Sequence, residues 1–168
     1  MENEPCENNK ITEIRSWEDL NIKEDLLRGI FAYGFEAPSE IQKKAILPIL
    51  GKRDLIAQAQ SGSGKTGTFS IGTLEVINVS EKTTQAIIIA PTHELAKQIN
   101  LVISGIGGFM EGLRVKTLIG GTSIQDDARE IKENPPHIIV GCAGRIYDMI
   151  KRKYLHVNNV KLFVLDEA

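Results

Sequence analysis

A chain of 168 residues, 42% hydrophobic and 25% charged, has the composition of one globular domain with a sizeable core and leaves little room for two. Twenty basic against 22 acidic residues give a net charge of −2, which excludes a global basic field, so any grip on nucleic acid has to be local. Two cysteines, Cys6 and Cys142, make neither a disulfide framework nor a zinc spacing, and the apolar runs are too short to span a bilayer; a soluble protein of a reducing, intracellular compartment is expected.

Residues 1–14 lack apolar periodicity and read as a flexible arm ahead of a single domain over residues 15–168. Leu26, Leu27, Ile30 and Phe31 mark one helix face, and Ile41, Ala45 and Ile46 mark another, which Pro48 disturbs near its end. Ser39 and Gln42 frame a Ser-x-x-Gln that fits a capping box at the start of the second helix, a purely structural use of Gln42. Short apolar runs follow at residues 55–59, 86–90, 115–119, 138–140 and 162–165, separated by helix-length segments. Such runs suit strands buried on both faces, and their alternation with helices predicts an α/β fold: a mostly parallel sheet with helices on both faces.

The run DLIAQAQSGSGKTGTF places a predicted strand before a glycine-rich turn and a helix-compatible segment after it, the context of a phosphate-binding loop. In Ser61-Gly62-Ser63-Gly64-Lys65-Thr66 the glycines let backbone N–H groups turn toward phosphate oxygens, Lys65 reaches the outer phosphates, and the Thr66 hydroxyl suits Mg²⁺. A chance Gly-x-Gly-Lys-Ser/Thr string arises in a chain of this length on the order of once in a hundred. Ala59 stands where the general pattern has its first glycine. At the far end KLFVLDEA reads as a strand ending in Asp166-Glu167, whose carboxylates would face the same crevice, where an acidic pair can hold Mg²⁺ through water and polarise an attacking water.

In order along the chain, Trp17, Gly34-Phe35 with Pro38 and Ile41-Gln42, the loop from Ala59 and Gln60 to Thr66, Pro91-Thr92-His93-Glu94-Leu95-Ala96, Gly120-Gly121, Gly144-Arg145 and Asp166-Glu167-Ala168 resemble the motifs of the first RecA-like domain of DEAD-box RNA helicases. Within that family the segments AYGFEAPSEIQKKAILPIL and IAQAQSGSGKTGTFSI are most similar to the translation initiation factor four-A group. The resemblance implies a RecA-like P-loop NTPase domain, incomplete at its C-terminus and without the second RecA-like domain. It further implies a missing strand between the phosphate-loop strand and the acidic strand, ATP and Mg²⁺ as cofactors, and sequence-tolerant binding of RNA. It makes Gln42 an adenine reader, since a carboxamide offers one acceptor and one donor group to adenine N6–H and N7. It sets Trp17 beside the adenine, and it makes Pro91, Thr92, His93, Gly120, Gly121, Gly144 and Arg145 the RNA-backbone contacts. Lys65, Asp166 and Glu167 become the catalytic set, with Thr66 and Asp166 toward the metal.

Two motifs depart from the family's usual forms. His93 replaces an arginine, and Cys142-Ala143 replaces a Thr-Pro pair. Exchanging an always-charged guanidinium for an imidazole predicts a weaker RNA grip that rises below about pH 6.5; the alternative is that His93 caps or packs locally. His137 and His156 read as structural or surface residues. The functional expectation is an RNA-stimulated ATPase and helicase, probed against a nucleotide- and scaffold-binding module and, less favoured, a small-molecule P-loop kinase. A monomer in the cytoplasm is expected, with the nucleus as the alternative and no membrane partner.

Overall fold

The computed structural model describes residues 14–167. Most of the expected N-terminal arm lies outside that range, and its last residue, Ile14, is buried in the main core. Six helices and four strands alternate: α1 (Glu24–Ala32), α2 (Glu40–Leu50), α3 (Lys65–Val76), β1 (Ala86–Ile89), α4 (His93–Ile106), β2 (Val115–Leu118), α5 (Ile124–Glu133), β3 (Ile138–Gly141), α6 (Ala143–Lys151) and β4 (Leu162–Leu165). Short 3₁₀ turns at Trp17–Leu20 and Gly107–Phe109 flank α1 and follow α4.

All strand pairings are parallel, in the order β2-β3-β1-β4, with Ala86 opposite both Ile138 and Leu162. Alternation of side chains to two covered faces explains why β1 and β3 are apolar throughout. Ala86, Ile88, Ile138 and Val140 enter the larger core, with Ile71 and Leu74 of α3 and Ile99 and Ile103 of α4. Ile87, Leu118 and Ile139 point the other way, to Ile131 of α5 and Ile146 and Met149 of α6. The sheet is thus covered on both faces at β1 and β3, as the pattern predicts, whereas at β4 Phe163 and Leu165 stay exposed on one face.

Residues 55–59 depart from expectation. They form no strand; Leu55 is 43% exposed and Ile56 fully so, and among the described residues the sheet ends at β4. A strand needs a ladder partner for its N–H and C=O groups; β4 pairs only with β1 and leaves its other edge open, and residues 55–59 do not pair with it. Phe31 also departs: it stands 42% exposed on α1, whose buried face is Leu26, Gly29 and Ile30.

Two contacts fix the frame of the site. The Lys23 ammonium donates to the carbonyls of Leu74 and Ile77 at 3.0 and 2.7 Å and also bonds that of Glu75, closing the C-terminal end of α3 with a cation where the helix dipole favours one. His137, fully buried, accepts from the Arg114 N–H through Nδ1 at 3.0 Å, while its own carbonyl receives the N–H groups of Gln85 and Ala86. It ties the N-terminal ends of β1, β2 and β3 together, a structural role as expected.

Candidate nucleotide and nucleic-acid site

Because all four strands run parallel, their C-terminal ends lie along one edge, and the loops leaving them carry most of the expected site residues. Across the sheet these are Gly120-Gly121 after β2, Cys142 to Arg145 after β3, Pro91 to Glu94 after β1 and Asp166-Glu167 after β4.

The phosphate loop opens α3. Gly64 has φ +101°, a conformation that excludes other residues, and a Cβ there would lie 2.9 Å from Ser39 Oγ and 3.0 Å from Gln42 Nε2. Ser39 donates its hydroxyl to the Ser63 carbonyl at 2.9 Å; Gln42, 3% exposed, accepts the Ser39 N–H at 2.7 Å and donates to the Gly64 carbonyl at 3.4 Å. The carboxamide therefore caps α2, as its spacing predicts, and also touches the loop. Lys65 folds back onto the carbonyls of Ala59 and Gln60. The Ser63 hydroxyl is buried without a protein partner. A turned-in backbone, a free hydroxyl and a lysine resting on loop carbonyls that it can exchange for phosphate oxygens fit a nucleotide phosphate chain.

Asp166 is half-buried and Glu167 exposed at the end of β4. Burial pushes the Asp166 carboxyl above its ordinary range; the Glu167 N–H, donating to it at 3.1 Å, works against this, the Glu167 charge adds to it, and the Lys65 charge opposes it. Thr66 and Asp166 supply hard oxygens of the kind Mg²⁺ takes, and among the described residues no group of three His, Cys, Asp or Glu side chains is placed to hold a metal. A Mg²⁺ held by one hydroxyl, one carboxylate and the nucleotide itself fits that donor set.

Trp17, expected beside the adenine, packs inside the protein against Phe35. It is fully buried, donates Nε1–H to the Phe35 carbonyl at 2.9 Å and stacks on Phe35 at 6.3 Å, so it reaches the site only through Phe35. Phe35 itself closes on the first turn of α3, 3.0 Å from where a Cβ on Gly67 would stand.

On the other half of the edge, Thr92 caps α4 by accepting the Leu95 N–H at 3.1 Å, and Pro91, Thr92 and His93 are exposed. The His93 ring lies against the next loop: a Cβ on Gly120 would be 3.3 Å from Nε2. Gly121 has φ +85°. Gly144 is exposed in the first turn of α6, and Cys142 precedes that turn with its thiol held above the ordinary value by burial and then by the Glu94 charge. Arg145 is only 9% exposed and spends its guanidinium inside the protein, on Asp127 at 2.7 Å and on the hydroxyl and carbonyl of Thr122 at 3.0 and 2.8 Å. Asp127 and Thr122 carried no signal in the sequence, since neither lies in a recognisable spacing.

Parallel strand order, crossover helices and a glycine-turned loop opening a helix define a P-loop nucleoside-triphosphate-binding domain of RecA type. The family model for DEAD/DEAH box helicases matches residues 39–168, and the chain belongs to that family. It is 51% identical over 162 residues to the ATP-dependent RNA helicase eIF4A of Chaetomium globosum and 50% identical to that of Neurospora crassa, covering 96% of this chain and 40% of each relative. The chain therefore spans about two fifths of the length of the curated relatives it matches. Among solved structures it is similar to a DEAD box protein from Methanococcus jannaschii, with TM-score 0.85 and 36% identity over 92% of this chain and 42% of that one. Dbp5 of S. cerevisiae, solved with RNA and ADP BeF3, gives TM-score 0.81 and 36% identity over 90% and 38%. Among the described residues no helix is long and apolar enough to cross a membrane.

Proposed function

We propose that residues 15–168 form the ATP-binding, RNA-contacting first domain of an ATP-dependent RNA helicase acting in translation initiation. The observation that carries this reading is the division of one sheet edge: the phosphate loop meets Asp166 at one end, and the loops after β1, β2 and β3, the last two with glycines, occupy the other. Similarity to eIF4A helicases and to a helicase solved with RNA supports the same assignment.

In this reading Lys65 leaves the Ala59 and Gln60 carbonyls for the nucleotide phosphates, and the backbone N–H groups of residues 61–66 and the Ser63 hydroxyl hold them. Thr66 and Asp166 hold Mg²⁺, which neutralises phosphate charge when bound. Glu167 orients the attacking water. Gln42 turns its carboxamide from the Ser39 N–H to adenine, so capping and base reading alternate on one side chain. Pro91, Thr92, His93, Gly120, Gly121 and Gly144 approach the RNA backbone and carry little sequence information. Phosphoryl transfer rests on positioning and charge stabilisation, so this chain alone binds nucleotide and turns it over poorly, the rest of the constellation coming from a second RecA-like domain. A cytoplasmic monomer that engages a scaffold of the initiation machinery completes the proposal.

Displacement of a fluorescent ADP analogue by ADP and by GDP tests it. Preference for ADP that vanishes in Gln42→Ala is expected; equal displacement by both nucleotides, unchanged in the variant, would overturn the base-reading assignment.

A further inference from the structure

One charged cluster at the nucleic-acid end of the sheet edge has no role in nucleotide chemistry. Asp127 lies in the first turn of α5, 5% exposed, and holds a cation on each oxygen: Arg145 on Oδ2 at 2.7 Å and Lys116 on Oδ1 at 3.0 Å. Burial opposes the charge of Lys116, but its bonds to Glu130 and Asp127 outweigh that and hold the ammonium above its ordinary value. The Thr122 hydroxyl sits between the two partners, 3.0 Å from Asp127 Oδ2 and 3.0 Å from an Arg145 nitrogen, while the Thr122 carbonyl takes a third bond from Arg145 at 2.8 Å. Ser123 caps α5 by accepting the Asp126 N–H at 3.2 Å, so two successive residues hold the C-terminal end of the turn of residues 120–123.

These bonds tie β2, the turn from Gly120 to Thr122 and the start of α5, which follow one another along the chain, to α6, whose Arg145 lies 18 residues beyond Asp127. Two of these segments carry residues assigned above to RNA. A guanidinium so enclosed has few donors left for phosphate. We propose that Asp127 is a positioning residue for RNA binding, holding Arg145 and Thr122 so that the Gly120-Gly121 turn and the first turn of α6 present their backbone N–H groups as one fixed surface. The proposal rests on the RNA-binding reading of those loops.

The sign of one substitution decides it. Removing a carboxylate beside a polyanion site raises RNA affinity if charge alone acts, and it would also free Arg145 to reach phosphate. Loss of positioning lowers affinity instead. Binding of a labelled single-stranded RNA to the whole chain is measured for the parent, Asp127→Asn, Thr122→Val and Asp126→Asn, with hydrogen exchange of residues 119–123 followed without RNA. Asp126→Asn makes the same charge change at an exposed side chain whose ion-pair partner, Arg129, lies outside the cluster. Expected are an affinity about tenfold lower in Asp127→Asn, a smaller fall in Thr122→Val, faster exchange at Gly121 in both, and equal or tighter binding in Asp126→Asn. Thr122→Val leaves every charge in place and serves where Asp127→Asn loses cooperative unfolding. Unchanged or tighter binding in Asp127→Asn, or unchanged exchange at Gly121, would overturn the proposal while the parent's own binding isotherm stands. A parent that binds no RNA at low salt would remove the RNA reading, and the proposal with it.

Discussion

The Gln42 side chain bridges Ser39 and Gly64, accepting the N–H of the first at 2.7 Å and donating to the carbonyl of the second at 3.4 Å. A single carboxamide thus couples the start of α2 to the phosphate loop. Gln42→Ala leaves a half-buried N–H at Ser39 without its acceptor, so the unfolding free energy is expected to fall by about 1 kcal/mol, alongside the loss of ADP preference. Urea unfolding read beside nucleotide titration checks both; a change in stability with nucleotide preference intact would leave Gln42 as a cap only.

His93 presents an exposed imidazole beside Gly120, at the place where two candidate RNA loops meet. His93→Arg is expected to tighten RNA binding and to steepen its dependence on salt, by about 0.7 in log–log slope for one added phosphate contact to a single strand. An unchanged slope would show that His93 serves packing against Gly120.

Burial first, and then the Arg114 charge, lower the basicity of His137, with the Val79 carbonyl pulling the other way. Nδ1 already accepts the Arg114 N–H, so an added proton breaks that bond and sets a charge beside the guanidinium. A depressed folded value means that the unfolded chain binds the proton more readily. Stability is therefore full above the ordinary histidine range and declines as pH falls below about 6.5. His137→Asn, which keeps an acceptor near the Nδ1 position, is expected to flatten that decline at a cost of about 1 kcal/mol at neutral pH. Thermal unfolding between pH 5 and 8 (roughly the range where histidine titrates) measures it; parallel curves for parent and variant would contradict the assignment.

Asp166 is raised by burial, so its ionised form costs stability in the chain without nucleotide. Asp166→Asn is expected to raise the unfolding midpoint at neutral pH, a gain that shrinks as pH falls toward the ordinary carboxylate range because both states then bind the proton. The same variant should abolish the Mg²⁺-dependent part of nucleotide affinity. A lower midpoint at neutral pH would show that the carboxylate is stabilised there instead.

Four of the five apolar runs are strands in the structure; the signature is continuous at β1 and β3, which are covered on both faces, and weaker at β2, which carries Lys116 and Thr117. The fifth, at residues 55–59, carries the same signature without a neighbour, and apolar sequence alone does not form a ladder. The phosphate loop and the acidic pair stand out in the sequence because the residues that form each of them are adjacent in the chain. The Asp127 cluster escaped notice for the opposite reason: Lys116, Thr122, Asp127 and Arg145 meet only after β2, α5 and α6 are in place. Arg145 was legible as a charge near RNA, and its enclosure was not.

The bare side of β4 is a further variable. Phe163 and Leu165 are more than half exposed, beside a strand that has no partner on that side among the described residues, with Leu55 and Ile56 also open to solvent. A chain extended past Ala168 through a strand able to pair there is expected to unfold at a higher midpoint and to protect the amides of residues 162–165 from exchange; equal midpoints would refute this.

The same edge bears on how the protein behaves in a tube. Apolar, and unpaired on that side among the described residues, it is a template for a second molecule as readily as for an added strand, so self-association that grows with protein concentration and competes with weak ligands is expected. Affinities taken from dilute and from concentrated samples of this chain will then disagree, and the dilution series reports the colloidal state of the protein as much as its binding.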